Sequence, residues 1–258
     1  MPPRALRPSG LILVDKPAGP SSFAVIADIR RRTGAKTGHA GTLDPFASGL
    51  LLVLSGASTR LAPWLVGLDK RYLTDVDLSA RTSTGDPTGE VVSRWAPPEP
   101  DELERRLGDL RGEIELPIPA ASAVKIGGER AYRLHRKGVA VQMPVRRSRV
   151  HALDVIAYSH GVASLDLRVS SGTYVRAIAD ALGGHCRTLR RTEVGPFSVD
   201  DADPERILPA AEALRFLPAV EVAEDEARAL RTGRRHGDDG VRYVHDGELV
   251  AVGRTVLP

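Results

Sequence analysis

The sequence predicts an α+β protein: a mixed, largely antiparallel sheet with flanking helices. Two observations carry this prediction. Strand-period alternation recurs, with Tyr72, Thr74, Val76 and Leu78 set between Asp75, Asp77 and Ser79, and with Ala163, Leu165, Leu167 and Val169 on one face of a later segment. Between such segments lie stretches of helical spacing, Val25-Ile26-Ile29 behind Ser21-Ser22 and Leu103-Leu107-Leu110 behind Asp101. With 258 residues, 42% of them hydrophobic, the chain is long enough for one large domain, or one large and one small.

In chain order, Leu11 to Asp15 reads as a strand stopped by Pro17. Ser21 or Ser22 caps the next helix and Gly34 ends it. Arg30, Arg31 and Arg32 sit near its C-terminus, where cations suit the dipole. They read equally as a solvated helix end or as a phosphate contact. Leu50 to Leu54 is a short buried strand. Thr82 to Gly89 is a turn cluster, and Val91-Val92 resumes a strand, which makes a hairpin. Pro97, Pro98 and Pro100 mark a loop before the helix from Asp101. Val150–Ala157 and Val162–Val169 are strands joined by a Ser-His-Gly turn. A helix follows from Thr173, its expected cap, to Leu182, and Gly183-Gly184 stops it. Val194 to Val199 is a further strand, after which Asp200–Pro209 is acidic and Pro-containing. The domain boundary is placed there, giving a catalytic-size domain over 1–206 and a small β-rich module over 207–258. That module should hold a helix around Glu224 to Arg231 and a hairpin turning at Asp246-Gly247.

Charge is unevenly spread. The net charge is only +3, but Ala120 to Val150 holds eight Lys or Arg and one acid, Glu129. Val199 to Glu226 holds nine acids and two Arg. One end of the molecule should therefore attract phosphates. Residues 120–147 read as a basic insertion, with Gly127-Gly128 and Gly138 around a short helical run. The single cysteine, Cys186, has no partner for a disulfide and no neighbours at metal-ligand spacing, and reads as a buried structural thiol. No P-loop or His-Cys cluster is present, so no metal and no cofactor are expected. The N-terminal Met-Pro-Pro-Arg has no apolar core behind it, and no run approaches a membrane span. A soluble, cytoplasmic, monomeric protein is expected.

The densest motif is Gly38 to Leu54, GHAGTLDPFASGLLLVL. A Gly-rich turn carries His39 and Asp44, then runs into the apolar strand. Glycine lets backbone approach a ligand closely. Asp44 before Pro45 is either the N-cap of a short helical turn or a catalytic carboxylate, and spacing alone leaves both open.

The motif G-H-A-G-T-L-D-P-x-A-S-G-L-L resembles the catalytic motif of the TruB family of tRNA pseudouridine synthases. Asp15-Lys16-Pro17, Lys70-Arg71-Tyr72, Ser171-Gly-Thr-Tyr-Val-Arg176 and Leu189-Arg-Arg-Thr192 are also similar to that family, and in its order. The resemblance covers roughly residues 10–200. It implies the pseudouridine synthase fold, and isomerisation of the T-loop uridine of tRNA, position 55, with the base flipped out of the RNA. It makes Asp44 the catalytic carboxylate, Arg176 its partner, and Tyr72 a group that stacks on the uracil and handles a proton. His39, Lys16, Tyr174 and Leu189 become substrate contacts. The insertion takes the place of a mobile thumb, with Lys125, Arg130, Arg133 and Arg136 as phosphate contacts. The C-terminal module takes the place of a PUA-like RNA-binding domain, although it is short for one.

Ser83 stands where family members often have Asp. A non-catalytic RNA-binding or RNA-folding protein using the same basic cleft is the alternative reading. A guide-RNA-dependent synthase of the dyskerin type is disfavoured by the compact chain, and a glycosylase would instead release free uracil.

Overall fold

The computed structural model describes residues 9–234 and 237–257, so the N-terminal Met-Pro-Pro-Arg lies outside the described residues. The chain forms two compact units. One comprises the chain up to Leu68 together with the chain from Glu193 on, and the other is Asp69–Thr192.

The first unit starts with β1 (Gly10–Lys16), α1 (Ser22–Thr33), β2 (Thr37–Ala40), β3 (Ser48–Ser55) and α2 (Ala62–Val66). β1 and β3 pair antiparallel from Gly10↔Ser55 to Lys16↔Gly49, and β2 pairs β3 from Thr37↔Ser55 to Ala40↔Leu52. The unbroken apolar run of β3 has a physical reason. Leu50, Leu52 and Leu54 enter one cluster with Leu11 and Leu13, while Leu51 and Val53 enter another with Ile12, Val14 and Ile29 of α1. A strand buried on both faces shows no alternation. Ser21 caps α1 by accepting from the Ala24 amide, and Gly34 closes it in the left-handed conformation, φ 61°. The arginine triplet is engaged within the protein: Arg31 pairs with Asp28 at 2.9 Å, Arg32 with Asp28 and Glu205, and Arg30 donates to Thr37.

The second unit holds β4 (Lys70–Asp77), the hairpin β5 (Ala80–Thr82) and β6 (Val91–Arg94), α3 (Pro100–Asp109), β7 (Gly112–Pro117), β8 (Lys125–Ile126), β9 (Glu129–Arg130), α4 (Ala131–Arg136), β10 (Val145–Ser159), β11 (Val162–Val169), α5 (Val175–Ala181) and β12 (His185–Cys186). β11 pairs antiparallel with β4 over Val169↔Lys70 to Val162↔Asp77 and with β10 on its other side, and β10 continues to β7. Leu103 and Leu107 of α3 are buried, as the helical spacing required. Cys186 is fully buried on β12 opposite Val76, which fits the structural-thiol reading.

Two expectations change here. The insertion is shorter than 120–147, because Val145–Arg147 are the start of β10 and pair with Pro117–Glu115. Their positive charge hides a strand whose only signal is its partner. Thr173 does not cap α5: Tyr174 is the cap residue, and the Thr173 hydroxyl donates to Ser170 O at 2.9 Å.

β13 (Arg190–Val194) carries the chain back to the first unit, followed by β14 (Phe197–Ser198), β15 (Asp203–Leu208), α6 (Ala210–Ala213), β16 (Ala219–Glu221), α7 (Glu224–Arg231), β17 (Arg242–His245), β18 (Glu248–Val252) and β19 (Thr255–Val256). The acidic stretch in which the domain boundary was placed contains β15, which pairs with β1 at Leu11↔Leu208. β16 to β19 form a separate four-stranded sheet, turning between β17 and β18 at Asp246 (φ 50°) and Gly247 (φ 78°). Both positive φ values are what a type I′ hairpin requires. This sheet shares a core with the rest of its unit, because Leu249, Val252 and Leu257 cluster with Leu61 and Leu214. No helix among the described residues is long and apolar enough to cross a membrane.

β12 lies against β4 through a close backbone approach at Gly184. A Cβ there would lie 2.3 Å from Asp77 O and 3.0 Å from Val76 Cγ1. Gly184→Ala should therefore cost about 1–3 kcal/mol, the range for forced overpacking. Denaturant unfolding of variant and wild type checks this, and an unchanged midpoint would show that β12 yields freely.

Candidate active site

Asp44 sits on the loop between β2 and β3, half-buried. No helix follows it, but the Ala47 amide donates to Asp44 O at 3.1 Å, so Asp44 opens a single turn. Its two neighbours are pinned. The Ser22 hydroxyl, buried at the start of α1, donates to Leu43 O at 2.9 Å and accepts from Leu43 N at 2.9 Å. Pro45 O accepts from Gly19 N at 2.7 Å and from Lys16 Nζ at 3.3 Å. Lys16 also donates to Pro17 O at 2.8 Å and Pro20 O at 2.9 Å. Gly41 enters the loop at φ 92° and Gly49 leaves it at φ 103°, angles that side chains rarely adopt. Lys16 was expected to contact substrate. It is fully buried with its ammonium on three carbonyls, so what the structure shows it doing is bracing the Asp44 loop. β2 places His39 opposite Val53, half-buried and five residues before Asp44.

In the second unit, Tyr72 is buried on β4 opposite Leu167, on the same face as Lys70 and Thr74. The segment after β12 runs along β4: Arg187 N donates to Asp75 O at 2.7 Å and Thr74 Oγ1 donates to Thr188 O at 2.6 Å. Leu189, buried, is thereby brought alongside the Tyr72–Thr74 stretch. Lys70 donates to Ser171 Oγ at 3.2 Å. Burial, reinforced by the Arg191 charge and only partly offset by Asp69, lowers its pKa to about 8.

Tyr174 caps α5, and Arg176 follows in its first turn, buried. The Arg176 guanidinium donates to Thr84 O at 2.6 Å and Ala121 O at 2.9 Å, and Asp86 lies 3.6 Å away. Asp86 is itself buried and accepts from the Thr84 and Thr88 hydroxyls and the Thr88 amide. The Thr82–Gly89 stretch is legible in sequence as a turn cluster, within which Asp86 accepts from the amide two residues on. Its ion pair with an arginine 90 residues away is not.

In the insertion, Lys125 pairs across the β8–β9 hairpin with Arg130, and Arg133 and Arg136 of α4 lie 5.9 and 5.6 Å from the centre of the Tyr132 ring. The stretch's one acid, Glu129, is taken by Lys137 at 2.7 Å. Lys125, Arg130, Arg133 and Arg136 are exposed and, among the described residues, have no ion pair.

The profile described as TruB family pseudouridylate synthase (N terminal domain) matches residues 30–175. Proteins named tRNA pseudouridine synthase B from Arthrobacter sp. (strain FB24) and Mycobacterium sp. (strain KMS) are each 40% identical to this chain, over 250 and 271 residues. The matches cover 88% and 94% of this chain and 82% and 91% of those proteins. The chain belongs to the TruB family. It is an isomerase that forms pseudouridine. Among solved structures, a Cbf5-Nop10-Gar1 complex matches with TM-score 0.70 at 24% identity, covering 95% of this chain and 79% of that one. An H/ACA RNP bound to a substrate RNA containing 2'-deoxyuridine matches with TM-score 0.69 at 23% identity, over 94% of this chain and 76% of that one. At such identity they establish that the TruB chain shares their fold.

Two groups that support motif residues carry no motif signal of their own: Ser22 beside the Asp44 loop of the first unit, and Asp86 beside Arg176 in the second. Asp86→Ala takes a carboxylate from a buried guanidinium and should cost about 3 kcal/mol. Asp86→Asn, which keeps acceptor capacity for the two threonines, should cost less, and urea unfolding of both variants orders them. Lys70 predicts a pH effect. Its folded pKa, about 8, lies below the unfolded value of 10.5, so the native state binds fewer protons between them. Stability should rise with pH through that window. The contribution between pH 7.5 and 9.5 should be about 1–2 kcal/mol and should vanish in Lys70→Met, read as the difference between two denaturation pairs.

Proposed function

We propose that this protein converts the T-loop uridine of tRNA, position 55, to pseudouridine, with Asp44 as the catalytic carboxylate. The observation that carries the proposal is the Asp44 loop, in which both flanking residues are fixed by hydrogen bonds while the carboxylate is left half-buried. The names of its relatives supply the RNA class, since the proteins 40% identical to it are called tRNA pseudouridine synthase B.

The reaction breaks the bond from uracil N1 to ribose C1′, turns the base and rejoins it through C5. Nothing is oxidised or added, so the chemistry requires neither metal nor cofactor. The reaction needs one ionised carboxylate at the ribose, as a nucleophile at C1′ or a base at C2′. Asp44 takes that role and Arg176 keeps it ionised. Tyr72 stacks on the uracil and handles the C5 proton, with Tyr174 and Leu189 as further base contacts. The target base leaves its stack to be reached, and His39 occupies the opened loop. Lys125, Arg130, Arg133 and Arg136 grip phosphates, and the small C-terminal sheet serves as a PUA-like RNA-binding module. The protein acts as a cytoplasmic monomer.

Unmodified tRNA transcript, incubated with the protein and mapped for pseudouridine, tests the reading. Asp44→Asn should abolish turnover while tRNA binding persists. Retention of even a few per cent of the wild-type rate would remove Asp44 from the chemistry, and binding without any pseudouridine in the wild type would favour the RNA-folding alternative. Changing Lys125 and Arg130 to Ala should raise the tRNA dissociation constant and make the log–log salt slope shallower by about one unit or more. An unchanged slope would make the insertion a solvated loop.

A further inference from the structure

We propose that Arg146, on β10, is a further substrate-binding residue that grips an RNA phosphate beside the target nucleotide, and that Gly172 is the seat that lets its guanidinium lie there. The inference rests on the RNA-modifying reading above and assigns it a residue outside the insertion.

Strand parity separates the arginines of β10. Arg146 pairs with Leu116, Arg147 with Glu115 and Arg149 with Glu113. Alternation sends Arg147 and Arg149 to one face and Arg146 with Ser148 to the other. On the first face Glu113 pairs with Arg147 at 3.3 Å and with Arg149 at 3.8 Å. Arg146 has neither an ion pair nor a hydrogen bond among the described residues. It lines a shallow cleft with Ile114, Leu116, Gly172, Thr173 and Tyr174, and no carboxylate lines that cleft.

The exposed guanidinium lies over Gly172 without a polar partner. Gly172 has φ 83°, and a Cβ built there would lie 2.6 Å from Arg146 Nη2 and 2.7 Å from Cζ. The cation therefore occupies space that any side chain at position 172 would fill. β10 also ties down the loop itself: Ser170 N donates to Arg149 O at 2.8 Å, and Arg149 N donates to Ser170 Oγ at 2.8 Å. One strand thus carries Arg146 and ties down the loop that leads to Tyr174 and Arg176. A planar fork of five N–H donors with no acid nearby suits a phosphate, which it can bind through two parallel hydrogen bonds. Because Tyr174 is the proposed base contact, the phosphate within reach is one flanking the flipped nucleotide.

The test uses the full-length protein, unmodified tRNA transcript, and binding measured across a salt series. Arg147→Ala, one residue away on the acid-paired face, is the control. Arg146→Ala should raise the tRNA dissociation constant about tenfold and make the salt slope shallower by about 0.7–1 unit, one phosphate contact. Arg147→Ala should do neither. Arg146→Lys should recover the slope but only part of the affinity, since an ammonium makes no paired contact. Gly172→Ala should weaken binding like Arg146→Ala without change in the slope of the Arg146→Ala background. Equal effects of Arg146→Ala and Arg147→Ala would overturn the proposal. So would a lowered melting temperature in Arg146→Ala with binding unchanged, which would make Arg146 a brace for the loop. A wild-type protein that binds tRNA but forms no pseudouridine would overturn the catalytic reading instead, while the binding series still decides on Arg146.

Discussion

Four hydrogen bonds hold Asp44 by its neighbours, and the candidate site of the first unit depends on them. The Ser22 hydroxyl bonds both the amide and the carbonyl of Leu43, and Pro45 O receives the Gly19 amide and the Lys16 ammonium. A buried ammonium is costly unless its donors are satisfied, and Lys16 meets that condition with three backbone carbonyls from two loops. The result joins the Pro17–Pro20 loop to the Asp44 loop. Under the proposed chemistry, a carboxylate that meets a ribose in one geometry benefits from a backbone fixed before substrate arrives.

The acids of this protein sort its arginines. Where a carboxylate lies near, arginine is part of the fold: Arg31 and Arg32 are tied to Asp28, and Arg71 grips Asp166 through two donors at 2.6 and 2.9 Å. Arg176 belongs to this class with its carbonyls and Asp86, which holds a charge in a buried place where an unpaired one would be expelled. In the insertion, where the one acid is already taken, Lys125, Arg130, Arg133 and Arg136 are exposed. Glu129 is occupied by Lys137, and the remaining cations of the insertion have no counter-ion of their own. Such a surface suits a polyanion. The mild net charge of +3 conceals this, because the sum cancels what the distribution separates.

The order of motifs along the chain was enough to place it in the TruB family and to nominate Asp44, Tyr72 and Arg176, because a reaction that needs a specific side chain leaves that side chain in the sequence. Periodicity likewise revealed α1, β4, α3 and β11, whose faces are buried with their own period, and unbroken apolar runs revealed β1 and β3. What failed to show locally depends on partners distant in sequence. The start of β10 reads as a basic loop until β7 pairs with it, and β15 reads as an acidic domain boundary until β1 does. The contacts of Lys16 to Pro45, of Ser22 to Leu43 and of Asp86 to Arg176 span 29, 21 and 90 residues, and no local pattern encodes them. The sequence by itself determined the family and nominated the candidate residues, because both rest on motifs that are local in the chain. Only the tertiary structure decided which charged groups brace loops, as Lys16 does, and which stay exposed, as Lys125, Arg130, Arg133 and Arg136 do, because that depends on what the fold brings beside each charge.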